Sequence, residues 1–464
     1  MNISLFKQSS KYGKVPYYVI LIVLTFLVYQ SAFTVKPLST IILSNVIIFL
    51  GLAPFYTYIK KKNFDYLPIL ELQGVFYALT FGYVALQDFT RKQIITDKEI
   101  NITLLFVIIG LITMYIGFYY LGPIIFKGRL KTWRLKNIKL KVADLKNFAF
   151  IYTLIFILYN LFITTKPDTL NTFAELISVF SKGILFYLLI QGKVSPNEKI
   201  LIVALILFDI ISGLTAGVLA SFSSLLVFIA IIYVHLRKKL PYVLGIIAII
   251  FFVLMQTIKI QYRDIVWWGG GQNYNTIQRM EILYDLIVNY YTSSNTGVKQ
   301  AADAAYYRID HLGTTAIVIS MTPDPVNYKY GLTYYPLFTK FIPRAIWKNK
   351  PEETTGNIWA KWYGLLNPTD FKTSYNLPWF TELYINFGPW GIILGMMFFG
   401  LFLRALVIIF SGKFNELVFL IGLVLTYSFY GPESHFSLIA GNLLLGTLAI
   451  YWLLMFINYL KFKV

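Results

Sequence analysis

Cysteine is missing from this sequence altogether, and histidine occurs only three times. The first absence excludes disulfides, iron–sulfur clusters and thiolate chemistry. It says little about compartment, because membrane chains often lack cysteine in any case. Charge is scarce as well: 14% of residues carry one, where soluble domains run near about a quarter. No internal repeat is visible, which removes the usual mark of a two-halved transporter.

What the chain has instead is oil: 57% of its 464 residues are hydrophobic. Apolar runs recur near 17–33, 38–59, 67–87, 100–121, 147–163, 172–190, 200–214, 216–235, 241–258, 389–410, 415–431 and 437–459. Runs of about 20 residues cross a bilayer core as helices, the form that satisfies its own backbone hydrogen bonds there. The expectation is an all-α, polytopic membrane protein of about twelve spans. Residues 1–258 hold nine of them, 259–388 form one large extracytoplasmic loop, and 389–464 hold the last three.

Charge orients the chain. Lys7, Lys11 and Lys14, the "KKK" at 60–62, the run "KGRLKTWRLKNIKLK" at 127–141, "RKK" at 237–239 and the terminal Lys461 and Lys463 fall in alternate polar segments. With the remaining charges of those segments they account for the whole net charge of +19. Cationic loops stay cytoplasmic, so both termini are expected inside and the large loop outside. The basic run then reads as an orientation signal and anionic-lipid contact, not a nucleic-acid footprint. No small-residue cleavage site follows the first run, which is expected to stay as an anchor.

The long loop is aromatic rather than disordered in composition. Helices are expected over "QRMEILYDLIVNYY" at 278–291 and "AADAAYYRIDHLGTTAIVISM" at 301–321, lying at the interface or capping the bundle. Its cations include Lys259, Arg263, Arg308, Arg344, Lys348 and Lys350. Cations on a translocated segment suggest an anion to hold; the fork of arginine matches phosphate oxygens, and lysine adds a point charge. The tryptophans among them offer flat faces to sugar rings, with an interfacial aromatic belt as the plain alternative.

Within that loop stands "IPRAIWKNKPEETTG" at 342–356, followed by "WFTELYINFGPWGIILG" at 379–395. Through Pro343, Arg344, Trp347, Lys350, Pro351, Glu382, Asn386, Phe387, Gly388 and Gly391, the chain resembles the oligosaccharide repeat-unit polymerases of O-antigen and capsule synthesis, the Wzy type. The turn "SGLTAGVLASF" fits as well, although this chain has no arginine there. The resemblance implies a glycosyltransferase of the GT-C type, inverting and metal-independent, with no cofactor. It also implies undecaprenyl-diphosphate-linked oligosaccharides as donor and acceptor, the bilayer as surroundings, and a chain-length regulator and a flippase of the same pathway as further partners. The early loops lack a DxD motif, which agrees with a clamp of side-chain cations. An O-antigen ligase and a lipid-linked oligosaccharide flippase are the rival readings.

Candidate roles follow. Arg344 and Lys350, stiffened by the flanking prolines, lead as the diphosphate clamp, with Lys348 and Trp347 between them. Lys259 and Arg263 end the ninth span at headgroup depth, where ordinary snorkelling also places cations. Arg308 would share a helix face with His311 and Leu312. Trp359 and Tyr335 are candidates for sugar contact, and Asn386, four residues after Glu382, would face the same way. Proton acceptors are His311, Asp310, Glu382, Glu433 and His435, with histidine favoured by its ordinary pKa. Within the spans, Glu71, Lys182, Asp209 and Arg404 need partners, and Lys182 is expected to bridge to Asp209.

Overall fold

A computed structural model describes residues 36–87, 95–132, 138, 140–162, 168–217, 219–267, 274–293, 297–339, 342, 347, 349, 354–371, 373–411, 415–430 and 433–463. The first expected span, 17–33, lies outside them. The described residues are helices and connections without a strand. Among the described residues, seven helices are long and apolar enough to cross a membrane.

The chain begins with α1 (Leu38–Lys61) and α2 (Ile69–Tyr77), the latter continuing as a π-helical stretch, Ala78–Tyr83. Next comes α3 (Asp97–Tyr115), which runs through a second π-helical stretch into Gly122–Phe126. Then follow α4 (Lys146–Phe162), α5 (Asp168–Gln191), α6 (Pro196–Thr215), α7 (Leu219–Arg237) and α8 (Tyr242–Val266). Local signals set several starts. Thr96 with Glu99 and Ser195 with Glu198 form reciprocal capping boxes, with Pro196 at the first helical position of α6.

Small residues let backbones touch, as membrane helices require where no hydrophobic drive holds them together. A Cβ on Gly51 would fall 2.4 Å from the Gly74 carbonyl, and one on Gly74 would fall 2.2 Å from the Gly51 carbonyl, which locks α1 to α2. Lys182 of α5 meets Asp209 of α6 at 2.7 Å, the expected bridge between two half-buried charges.

The remaining elements are α9 (Thr276–Ser293), α10 (Gly297–Ile309), α11 (Leu312–Met321), α12 (Tyr335–Thr339) and α13 (Thr355–Trp362). They are followed by α14 (Trp379–Trp390), α15 (Met396–Ile409), α16 (Glu416–Thr426) and α17 (Phe436–Lys463). α9 lays Leu283, Leu286 and Ile287 against Met255 and Ile258 of α8.

Two breaks shape the molecule, the first of them a departure from the sequence reading. The helix expected over 301–321 is broken at Asp310 and His311. Tyr306 stacks on Tyr83, whereas His311 packs on Phe76, about 10 Å further along the same helix. α11 then turns back beside α14, with the Thr315 and Thr381 hydroxyls 2.7 Å apart. Leu312 to Ile319 are all buried, so α11 belongs to the bundle interior and not to an interface, as a helix apolar all round must.

The second break is in the apolar stretch Trp379–Ile409, where the sequence reading ends the loop at 388 and begins a span at 389: Gly388 leaves the helical region with φ 61° and ψ −146°. Beyond it the chain folds back: a Cβ on Gly391 would lie 2.3 Å from the Leu383 carbonyl. The result is a helical hairpin, 379–387 against 389–409. The break after residue 388 in the sequence reading coincides with this turn. The break after 258 does not coincide with any turn, since α8 continues to Val266 and carries Lys259 and Arg263 in its last turns.

Candidate functional site

The tip of the α10–α11 hairpin meets the loop before α17. Arg308 lies in the last turn of α10, where a helix C-terminus favours a cation. Its two terminal nitrogens reach the two carboxylate oxygens of Glu433, at 2.5 and 3.2 Å. His311 Nε2 lies 3.5 Å from the same carboxylate, and Asn376 donates to it at 2.8 Å. Asp310 accepts from the Gly313 N–H at 2.7 Å and so starts α11.

Lys259 and Arg263 come to this place one turn apart on α8. Lys259 lies within electrostatic reach of Arg263, Arg308 and Glu433. Arg308 pairs with this carboxylate and Lys259 lies within its electrostatic reach, while Arg263 stands within reach of Lys259 and Arg308, in a setting where Arg308 and Glu433 are 30% and 27% exposed. Partial burial raises the worth of each charge and the cost of leaving one unmatched. Burial resists ionisation of Glu433, but the adjoining His311 and Arg308 outweigh it and hold this loop carboxyl down at about 2.

A second layer of bonds fixes the loop that bears Glu433. Trp379 Nε1 donates to the Ser434 carbonyl at 2.6 Å. The fully buried Glu382 accepts from the Phe436 N–H at 2.8 Å, capping α17, and from the Thr333 hydroxyl at 2.7 Å. Asn386 donates to that hydroxyl at 2.7 Å and to the Glu382 carbonyl at 2.8 Å, while accepting from the Gly331 N–H. Every one of these groups is occupied, as buried polar groups must be.

Arg263 has a further role. Its Nε donates to the Gly217 carbonyl at 2.9 Å, and its guanidinium lies 4.1 Å from the ring centre of Trp267. Beside it, the Tyr262 hydroxyl donates to the Thr215 carbonyl. The turn that lacks an arginine of its own is thus held by one from α8.

Of the residues singled out from sequence, the structure brings Lys259, Arg263, Arg308 and His311 together. Asp310 starts α11 beside them, and Glu382 and Asn386 hold the Thr333 hydroxyl, the Phe436 N–H and the Gly331 N–H. His435 is buried within electrostatic reach of Glu382. Tyr335 is exposed at the start of α12. Trp359 needs correction as a sugar platform: it is wholly buried, packs on Tyr363 and Tyr375, and spends its N–H on the Tyr375 carbonyl. Trp347 is half-buried, while Arg344, Lys348 and Lys350 lie outside the described residues. The organising roles of Glu433 and Asn376 were not readable from spacing. The only signal was a carboxylate placed at a span end in "YGPESHF".

Among the described residues no three His, Asp or Glu side chains gather as they would around a metal ion. The arrangement that is present can bind an anion, orient it with a guanidinium fork and place an imidazole beside it. Residues 73–428, well over half of the chain, match the model of a family described only as a domain of unknown function, DUF8712. The chain belongs to that family. No curated protein and no solved structure matches it.

Proposed function

We propose that this protein is a membrane-embedded glycosyltransferase that lengthens a surface glycan, moving the growing chain from a polyprenyl diphosphate carrier onto the next lipid-linked repeat unit. In this reading twelve spans cross the cell membrane. The basic segments face the cytoplasm, and 267–378 faces the other side. One observation carries the proposal: Arg308 and Lys259 lie about the Glu433 carboxylate and Arg263 lies within reach of both cations, at the end of apolar helices, leaving positive charge in excess where a lipid diphosphate would lie.

The chemistry fits that excess. The acceptor hydroxyl oxygen bonds to the anomeric carbon as the bond from that carbon to the diphosphate oxygen breaks. The diphosphate leaves with the electron pair, and the hydroxyl proton passes to a base. Pre-placed cations in a partly dehydrated site stabilise the growing negative charge, often the largest single catalytic contribution. His311, beside Glu433, is the base candidate.

The test is purified protein in nanodiscs with a synthetic polyprenyl-diphosphate repeat unit. A ladder of products is expected, and it is lost in Arg308→Ala and in Arg344→Ala or Lys350→Ala at normal protein level. One addition to a foreign acceptor is the ligase outcome. A wild-type ladder from all three variants would remove the cation-clamp mechanism.

A further inference from the structure

We propose that Glu433 is a resident counter-ion that the diphosphate displaces from Arg308, so that the empty site is held closed by its own anion. The inference rests on the diphosphate reading of the site. Arg308 presents a two-nitrogen fork, and Glu433 fills it with two oxygens in the geometry a phosphate would adopt. Both side chains are about a quarter to a third exposed, so an incoming anion can reach them.

Displacement does not leave the carboxylate stranded. Asn376 donates to it, His311 faces it, and Lys259 is within electrostatic reach. The backbone on its C-terminal side is pinned independently, at Ser434 by Trp379 and at Phe436 by Glu382. A side-chain rotation alone can release Arg308 while the loop stays in place. With Arg308 and Lys259 about one carboxylate and Arg263 next to both cations, a diphosphate of higher charge is the better partner.

The alternative is that Glu433 permanently positions Arg308 for the substrate. The two ideas predict opposite signs. The full chain in zwitterionic nanodiscs would be titrated with a polyprenyl diphosphate, using inorganic pyrophosphate and phosphatidylglycerol as competitors. If the carboxylate competes, Glu433→Gln binds about tenfold tighter. Glu433→Asp, too short to span the fork, binds tighter by a smaller factor and serves if the glutamine variant fails to fold. Arg308→Ala binds at least about tenfold more weakly.

Unchanged or weaker binding in the folded Glu433 variants, with Arg308→Ala still impaired, overturns the counter-ion idea and leaves the diphosphate reading intact. No binding by wild type, or wild-type binding by Arg308→Ala, removes that reading and the inference with it. Inorganic pyrophosphate is expected to compete and phosphatidylglycerol is not. Equal competition by the phospholipid would make this an ordinary headgroup contact and overturn the proposal.

Discussion

The rings of Trp379 and Phe399 meet edge to face, their centres 4.3 Å apart. In one continuous helix those residues would stand about 30 Å apart at 1.5 Å per residue. The contact exists because the chain reverses at Gly388, and the reversal delivers Trp379 and Glu382 to the loop that carries Glu433.

Gly388 is therefore the residue to disturb. Its φ of 61° with ψ −146° is glycine territory, and an added Cβ would meet the Tyr328 hydroxyl at 2.6 Å. Gly388→Ala should cost about 2 kcal/mol or more and lower the melting temperature in detergent. An unchanged melt would mean that residue 388 accepts a side chain and does not carry the turn.

Replacing Glu382 by glutamine tests the cap on α17. Both carboxylate oxygens accept hydrogen bonds, from the Thr333 hydroxyl and the Phe436 N–H. An amide supplies only one acceptor, so one buried donor loses its partner or faces another donor. A loss of about 1–3 kcal/mol is expected, read as a lower melting temperature for Glu382→Gln and a larger drop for Glu382→Ala. Wild-type stability in the glutamine variant would argue against the cap.

Lys182 and Asp209 lend themselves to a double-mutant cycle. Lys182→Met or Asp209→Leu alone strands one charge within the helices and should destabilise on the order of 3 kcal/mol. The double variant should recover most of that loss and keep full transfer activity. Loss of activity in a stable double variant would revive proton relay as the purpose of the pair.

The Glu433 carboxyl carries a pH signature. Its pKa is lowered from 4.5 to about 2, so the folded state binds its proton less readily than the unfolded chain does. Its contribution to stability is complete above about pH 4.5 and fades as pH falls toward 2. The difference in melting temperature between wild type and Glu433→Gln should be constant from pH 8 to pH 5 and shrink below, by thermal melts across that range. A difference that vanishes already near pH 6 would show a carboxyl not held by Arg308.

Composition and hydropathy alone determined that this is an all-helical chain whose long helices suit a membrane. The cations of the long segment were legible as a set, and so was the Lys182–Asp209 bridge between nearby spans. These features are local or additive, so spacing and sums reveal them. Only the tertiary structure decided that 301–321 is two helices, that the segment before the boundary at 388 is a helix folded against the span after it, that Trp359 is core, and that Lys259, Arg263, Arg308 and Glu433 form one cluster. Apolar periodicity does not encode where a helix reverses when both arms are equally greasy, and ion pairing between residues 308 and 433 is a property of the folded chain.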